Sequence, residues 1–313
     1  MGREKVAARL LLAVLASLLA SCSLNRLAVR TVAGFLSGSG DSTVFTGEDD
    51  PELVGDALPF VLKTYESLLE ADPSNADLAL ATGRTFVMYA FAFVQAPADE
   101  LPVERVDEQL SMKARAKKLM LRGREYILRG IETRRPGFRA SLEKDGPAAA
   151  LRLVKREDID YLYWAGASWM GAFGADPFDF SLIVSLPRAV ALLQQVADWD
   201  DAYGGGAVHE IFITFYGSAP ADLGGSEERA RAHFARAVAL SRGVKAGPYL
   251  ALASTVSVKR QDAAEFRDLL GKALAVDVNA SPPDRLQNII TQRKARWLLD
   301  HADEYFLGEG GSP

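Results

Sequence analysis

The residues able to do chemistry are few in this 313-residue chain, which has one cysteine and three histidines. His209-Glu210 resembles the opening of the zinc-protease motif His-Glu-x-x-His, in which two histidines one helical turn apart bind the metal and the glutamate activates water. The position that should hold the second histidine is Ile213, which removes that reading, and the scattered histidines leave little material for another zinc site. No Gly-x-Ser-x-Gly elbow and no phosphate-binding Walker loop occur, and Gly204-Gly205-Gly206 lacks the later glycine of a dinucleotide fingerprint. The carboxylates of Glu48-Asp49-Asp50-Pro51-Glu52 lack the glycine spacing of a calcium loop. They read instead as a helix start, with Asp50 as N-cap and Pro51 in the first turn. No catalytic residue, cofactor or metal is assigned, and the chain reads as a non-enzyme.

What the sequence has in surplus is aromatic rings on segments of helical spacing. The candidates for a ligand-holding wall are Phe86, Tyr89, Tyr163, Trp164, Phe212, Tyr216 and Tyr249, with His209 and Glu210 beside them to orient a polar end. Such rings can border a cavity, offering an apolar body and a polar tip, or can simply fill a core. The sequence leaves both readings open.

The elements that must position these residues are helices. Predicted segments are 52–71, 75–95, 102–134, 138–154, 157–173, 187–199, 206–216, 226–242, 247–258, 262–276 and 283–306, separated by proline and glycine breaks at Pro97, Pro136-Gly137, Gly204 to Gly206, Gly224-Gly225 and Pro282-Pro283. Pro177–Leu186 reads as an apolar loop or a short strand. Paired helices with short connections suggest an all-α, helical-hairpin array with degenerate tetratricopeptide-like (TPR-like) repeats. Gly83 with Phe86, and Gly166 with Trp169, fit the first helix of that pattern, and Ala230, Phe234 and Ala237 fit the second, without a regular 34-residue spacing. The final segment reads as a cap closing the array.

The N-terminus is organised differently. Arg3, Lys5 and Arg9 precede the apolar run Leu10–Ala20, which is too short for a span of roughly 20 residues and has the order of a secretory signal. It ends in Leu19-Ala20-Ser21-Cys22, which resembles the lipobox of bacterial lipoproteins and makes Cys22 the expected lipidation site and new N-terminus. The expected organisation is a signal peptide at 1–21, an anchored amphipathic helix and linker at 22–50, a helical domain at 51–307 and a tail at 308–313. Removing residues 1–21 takes a net +2 and moves the formal charge from −5 to −7. An acidic exported protein is a poor nucleic-acid binder. Within it, Arg105–Arg139 carries eleven basic and four acidic residues, to be met by anionic headgroups, an acidic partner or counter-charges on neighbouring helices.

Together these features resemble the T-component lipoproteins of tripartite ATP-independent periplasmic (TRAP) transporters. The resemblance rests on the lipobox, on Val44-Phe45-Thr46 leading into Asp49 to Val54 and Ala57-Leu58-Pro59-Phe60, and on Lys117 to Gly123 before Pro136-Gly137-Phe138. It continues through His209-Glu210, Gly224-Gly225 before Ala230 to Phe234, and Leu286 with Asn288, Gln292, Ala295, Trp297 and Leu298. It implies a periplasmic, membrane-anchored helical protein that associates, as a trimer, with the transporter's solute-binding protein. Each protomer is expected to hold a through-going cavity for a hydrophobic or organic-acid ligand. Ser23 lacks the aspartate associated with inner-membrane retention, which favours the outer membrane. The alternative reading is a TPR-like scaffold in bacterial envelope assembly.

Overall fold

The structure, a computed structural model, describes residues 43–307, all of whose regular structure is helical. The signal segment, Cys22, the amphipathic stretch Leu24–Leu36 and the tail 308–313 lie outside the described residues.

Local chemistry starts most of the helices. Helix α1 (Pro51–Ala71) begins as its sequence suggests: Asp50 Oδ1 accepts from the Leu53 amide at 3.0 Å and Pro51 occupies the first turn. Asn75 caps α2 (Ala76–Ala98) in the same way, accepting from Leu78 at 3.0 Å. Pro97 does not end this helix. A π turn at Phe91–Gln95 shifts the hydrogen-bond register and carries the chain on to Ala98. Next come α3 (Val106–Arg134), α4 (Phe138–Lys144) and α5 (Pro147–Leu151), the last two separated at Gly146, whose φ of +88° only glycine adopts readily.

The segment read as loop or strand is helical. After α6 (Ile159–Ala175), helix α7 runs from Phe180 to Trp199, straight through Pro187. Asp179 starts it by accepting from the Ser181 and Leu182 amides at 2.9 and 3.3 Å. Pro187 is tolerated because it faces solvent, where water can serve the carbonyl that its missing N–H leaves free. The remaining helices are α8 (Ala207–Ser218), α9 (Glu227–Ser241), α10 (247–260, with a π turn at Ala253–Ser257), α11 (Ala263–Leu274) and α12 (Arg285–Asp300).

The helices pack as successive pairs, α2 on α3, α6 on α7, α8 on α9 and α10 on α11. Glycines set the closeness of approach. A Cβ on Gly83 would lie 2.5 Å from the Gly123 carbonyl oxygen, one on Gly166 would lie 2.6 Å from Leu193, and one on Gly217 would lie 2.4 Å from Thr255 Oγ1. The first members of the pairs also touch in series, α2 with α6, α6 with α8 and α8 with α10, and α10 meets α12.

Helix α12 does not cap a free end. It meets α1: Leu286 packs with Val54 and Leu58, its amide donates to Thr46 O at 2.9 Å, Arg285 donates to Gly47 O at 3.1 Å, and Arg293 pairs with Glu52. The array therefore closes on itself. Much of the basic stretch on α3 is paired with carboxylates of the same molecule. Lys113 pairs with Asp99, Lys117 with Asp176 and Asp179, Arg122 with Glu66, and Arg134 and Arg135 with the buried Asp158.

Candidate functional site

The series of touching helices α2, α6, α8 and α10 carries the aromatic surplus, and the structure divides it in two. Phe86, Phe212 and Tyr216 are buried, at 3%, 0% and 1% exposure, and pack within the core. Tyr89, Tyr163, Trp164 and Tyr249 are half-buried. Tyr89 stacks on Phe93 with ring centres 6.0 Å apart and accepts a long 3.4 Å hydrogen bond from Arg115. It borders the α1–α12 closure rather than the other rings.

Tyr163, on α6, is the centre of a different group. Trp164 meets its edge at 5.2 Å and Tyr203 lies against it at 4.9 Å. Tyr203 was not among the residues singled out by spacing, because it sits in the irregular turn before α8. Its hydroxyl donates to Asp160 at 2.5 Å, which fixes the ring. On α10, Tyr249 is met edge-on by Phe234 of α9 at 5.6 Å. The hydroxyls of Tyr163 and Tyr249 and the indole N–H of Trp164 make no hydrogen bond to a described residue.

Glu210, in the first turn of α8, supplies the charge of this group. Its carboxylate makes no hydrogen bond to a described residue; its amide donates to Gly206 O at 3.3 Å and its backbone carbonyl accepts from Thr214. The side chain lies against the backbone at Gly247, where a Cβ would fall 2.0 Å from Oε1 and 2.6 Å from Oε2. Lys245 is close enough to influence it but is already engaged, donating to Gly204 O at 2.5 Å and pairing with Asp284 at 3.2 Å. Burial pushes the Glu210 carboxyl above its ordinary range, with Lys245 opposing and Asp284 reinforcing the rise. Burial also raises the Tyr163 phenol, and the Glu210 charge raises it further, which puts the two groups within electrostatic reach.

His209, next in sequence, points elsewhere. Its Nε2 lies 2.8 Å from Asp201 Oδ1 and its Nδ1 lies 2.8 Å from His233 Nδ1. A carboxylate only accepts, so Nε2 carries a proton. With both rings neutral, Nδ1 of His209 must then accept from Nδ1–H of His233. The pair joins α8 to α9 and is covered by the Phe212 and Tyr216 rings, with Arg229 3.8 Å above Tyr216. It is a structural junction, and nothing in the sequence pointed to His233. Among the described residues no three or more His, Cys, Asp or Glu side chains come together as a set of metal ligands.

Two open clefts of about 530 and 440 Å³ lie on the α1–α3 flank and share Arg122, Tyr126 and Arg129. Several of their charges are paired internally, Glu66 with Lys63 and Arg122, and Glu125 with Arg139. The buried Glu66 accepts from Lys63 at 2.6 Å, from Tyr126 at 2.7 Å and from Arg122, and these partners hold its carboxyl below the usual range against the opposing effect of burial. Buried side-chain atoms without a hydrogen-bond partner among the described residues are Gln95 Oε1, Arg124 Nε, Tyr216 OH and Arg285 Nε, so unmet polar capacity is spread over the fold.

Comparison with known proteins supplies the context. A family model described as "TRAP transporter T-component" matches residues 47–306, nearly all of the described chain. The chain is also similar to an uncharacterised protein of Treponema pallidum (strain Nichols), 35% identical over 305 residues that span 93% of this chain and 94% of the relative.

Proposed function

This chain belongs to the TRAP transporter T-component family, which places it in a TRAP system of the bacterial envelope, and from that membership we propose that it is a non-enzymatic adaptor and ligand-holding lipoprotein. In this reading Cys22 tethers it at the periplasmic face of a membrane, the outer membrane by the residue that follows. Its helices act as degenerate TPR-like pairs, it assembles as a trimer, and it engages the transporter's solute-binding protein. Its interior holds or passes a ligand with an apolar body.

One observation carries the ligand part. Tyr163, Trp164, Tyr203, Glu210 and Tyr249 all keep some accessible surface. Burial is nonetheless the leading cause of the raised pKa at Tyr163, Tyr203 and Glu210. Tyr163 in contact with both Trp164 and Tyr203 gives a half-buried cluster of rings, the kind of apolar surface on which a ligand's apolar body can rest. Ligand sites of this kind are mostly apolar with a few unsatisfied polar groups.

The adaptor reading is tested by native mass spectrometry of the full chain with the solute-binding protein of its own TRAP system. A complex retaining bound small molecule is expected, and failure to associate with the folded partner rejects it. Tyr163→Ala is expected to weaken ligand retention while leaving helicity and melting temperature near those of the parent. A large loss of stability would instead make that ring core. Cys22→Ser is expected to move the protein from membrane to soluble fraction; unchanged membrane association rejects the tether.

A further inference from the structure

We propose that the edge of the molecule formed by the first half of α3 and the α6–α7 corner is a lipid contact, which seats its exposed apolar side chains in the surface of a zwitterionic bilayer. The contact rests on the tether proposed above to bring this edge to a membrane, and gives the folded domain a hold of its own.

Helical spacing and three ion pairs build the edge. Val106, Leu110, Lys113 and Lys117 recur at intervals of four, three and four residues, so they share one face of α3. Lys113 pairs with Asp99 at 3.0 Å, and Lys117 pairs with Asp176 at 2.7 Å and Asp179 at 3.1 Å. Asp176 and Asp179 bracket Phe178, so the pairs that fix the turn between α6 and α7 on α3 set Phe178 at the end of that face. Phe180 and Val184 continue from there, one turn apart along α7, with the solvent-facing Pro187 next. Val103, Val106, Leu110, Phe178, Phe180 and Val184 are all exposed, Phe178 to 92% and Phe180 to 77%. They are half of the large apolar side chains exposed among the described residues. Scattered singly, such residues are ordinary; gathered on one edge, they mark a contact surface.

What meets this edge follows from where the chain enters the fold. Adjacent residues of α12 reach both places: Arg293 pairs with Glu52 at the start of α1, and Lys294 donates at 3.0 Å to the carbonyl of Asp99, the residue whose carboxylate Lys113 holds. The start of α1 and the edge therefore share one end of the molecule. Residues 23–42 lie between Cys22 and Thr43 and can extend to roughly 65 Å, long enough for the edge to lie on the bilayer that holds the anchor. Helix α7 is long and apolar enough to cross a membrane by length and composition, yet less than half of that stretch is buried. Packed on α6, it stays with the domain and offers a bilayer only its free side. The charges argue against attraction to anionic headgroups. Lys113 and Lys117 are taken by three aspartates and Arg105 by Glu108, while Glu104 and Asp107 have no basic partner among the described residues. The contact is thus apolar, made with a lipid surface of no net charge.

The test puts a fluorescent reporter on the edge of the full chain and asks whether it touches lipid. In phosphatidylcholine vesicles with brominated acyl chains, Phe178→Trp is expected to lose about half of the fluorescence it adds to the parent. Leu153→Trp, beyond the opposite end of α6, whose 17 residues span about 25 Å, is expected to lose none. Adding Phe180→Asp and Val184→Asp, both at exposed positions, is expected to abolish quenching at 178 with the melting temperature unchanged and the chain still held on the vesicles by its tether. Quenching that is equal at 178 and 153, absent from both, or retained with the two aspartates overturns the lipid contact and leaves the tether standing. Quenching that strengthens when phosphatidylglycerol is added assigns the contact to headgroup charge and overturns it too. So does a reporter at 178 that is shielded from aqueous acrylamide but untouched by brominated lipid, since another protein surface then covers the edge. A chain released from the vesicles by the two aspartates supports the edge contact and overturns the tether, and a parent chain that never associates with vesicles overturns both.

Discussion

The Glu210 carboxylate occupies the space that a side chain at Gly247 would need, 2.0 Å from the position of an ideal Cβ. Position 247 is therefore constrained by a neighbour on another helix and not by its own backbone, since its φ lies outside the left-handed region. The atom it would meet is the free end of a flexible side chain, so the conflict can be relieved by moving Glu210 alone.

Gly247→Ala should accordingly leave the fold intact and relocate the charge. Stability is expected to change by no more than about 1 kcal/mol, because alanine is also the better helix former. A thermal melt checks this, and a loss several times larger would mean that Glu210 cannot move.

The histidine junction sets a pH dependence. Burial holds the His233 imidazole down to about 4, aided by His209 and Arg229 and opposed by Asp201. In the unfolded chain a histidine titrates near 6.5. Between these values the unfolded chain binds a proton that the native protein does not, so stability is greatest above about 6.5 and falls as pH drops toward 4. The loss is on the order of 2–3 kcal/mol once partial solvent exposure of the ring is allowed for. Urea denaturation at pH 7 and pH 5 should show the fall, and His233→Gln should flatten it. Equal stability of the parent at the two pH values would contradict this account.

Gly83 and Gly123 form a reciprocal contact at the α2–α3 crossing. A Cβ on the first would lie 2.5 Å from the carbonyl oxygen of the second, and one on the second 2.7 Å from that of the first. Here the obstacle is backbone, which cannot swing aside. Gly83→Ala should therefore destabilise by about 1–3 kcal/mol despite alanine's higher helix propensity. A neutral or stabilising result in chemical denaturation would show that the crossing is looser than described.

Asp158 is fully buried and accepts from the Lys155 amide at 2.9 Å, Arg135 Nε at 2.7 Å and Arg134 Nε at 3.0 Å. Burial alone would raise its carboxyl, but these three partners hold it below the ordinary range. Asp158→Ala removes the buried anion shared by Arg134 and Arg135 at the start of α6, leaving them only the exposed Glu157 and, for Arg134, Asp77. It should cost about 3–5 kcal/mol, with Asp158→Asn costing less. A denaturation curve shifted by under about 1 kcal/mol would remove this network from the account of stability.

Local structure was legible wherever the cause was local. Asp50-Pro51, Asn75 and the glycines at 146 and 204 to 206 act on their own backbone, so their types and order locate helix ends. Pro187 misled for the same reason. A proline read in isolation is a breaker, whereas its position on the exposed side of α7 makes the lost hydrogen bond cheap. At the candidate site the surplus of rings was readable, but the division between Phe212 in the core and Tyr163 beside an unpaired charge was not. Neighbours on the same helical segment do not say which helix comes to cover them.

The sequence by itself determined that this is a helical protein with a signal-like N-terminus, and the ordered combination of its motifs determined the family. Only the tertiary structure decided that α12 returns to α1 and closes the array. Only the tertiary structure placed Tyr203 and Gly247 around Tyr163 and Glu210, and paired His209 with His233. Periodicity and capping are set by residues a few positions apart, which the chain order fixes directly. Closure and charge pairing depend on residues such as Arg285 and Gly47, 238 positions apart, whose meeting is set by the summed rotations of every helix pair between them.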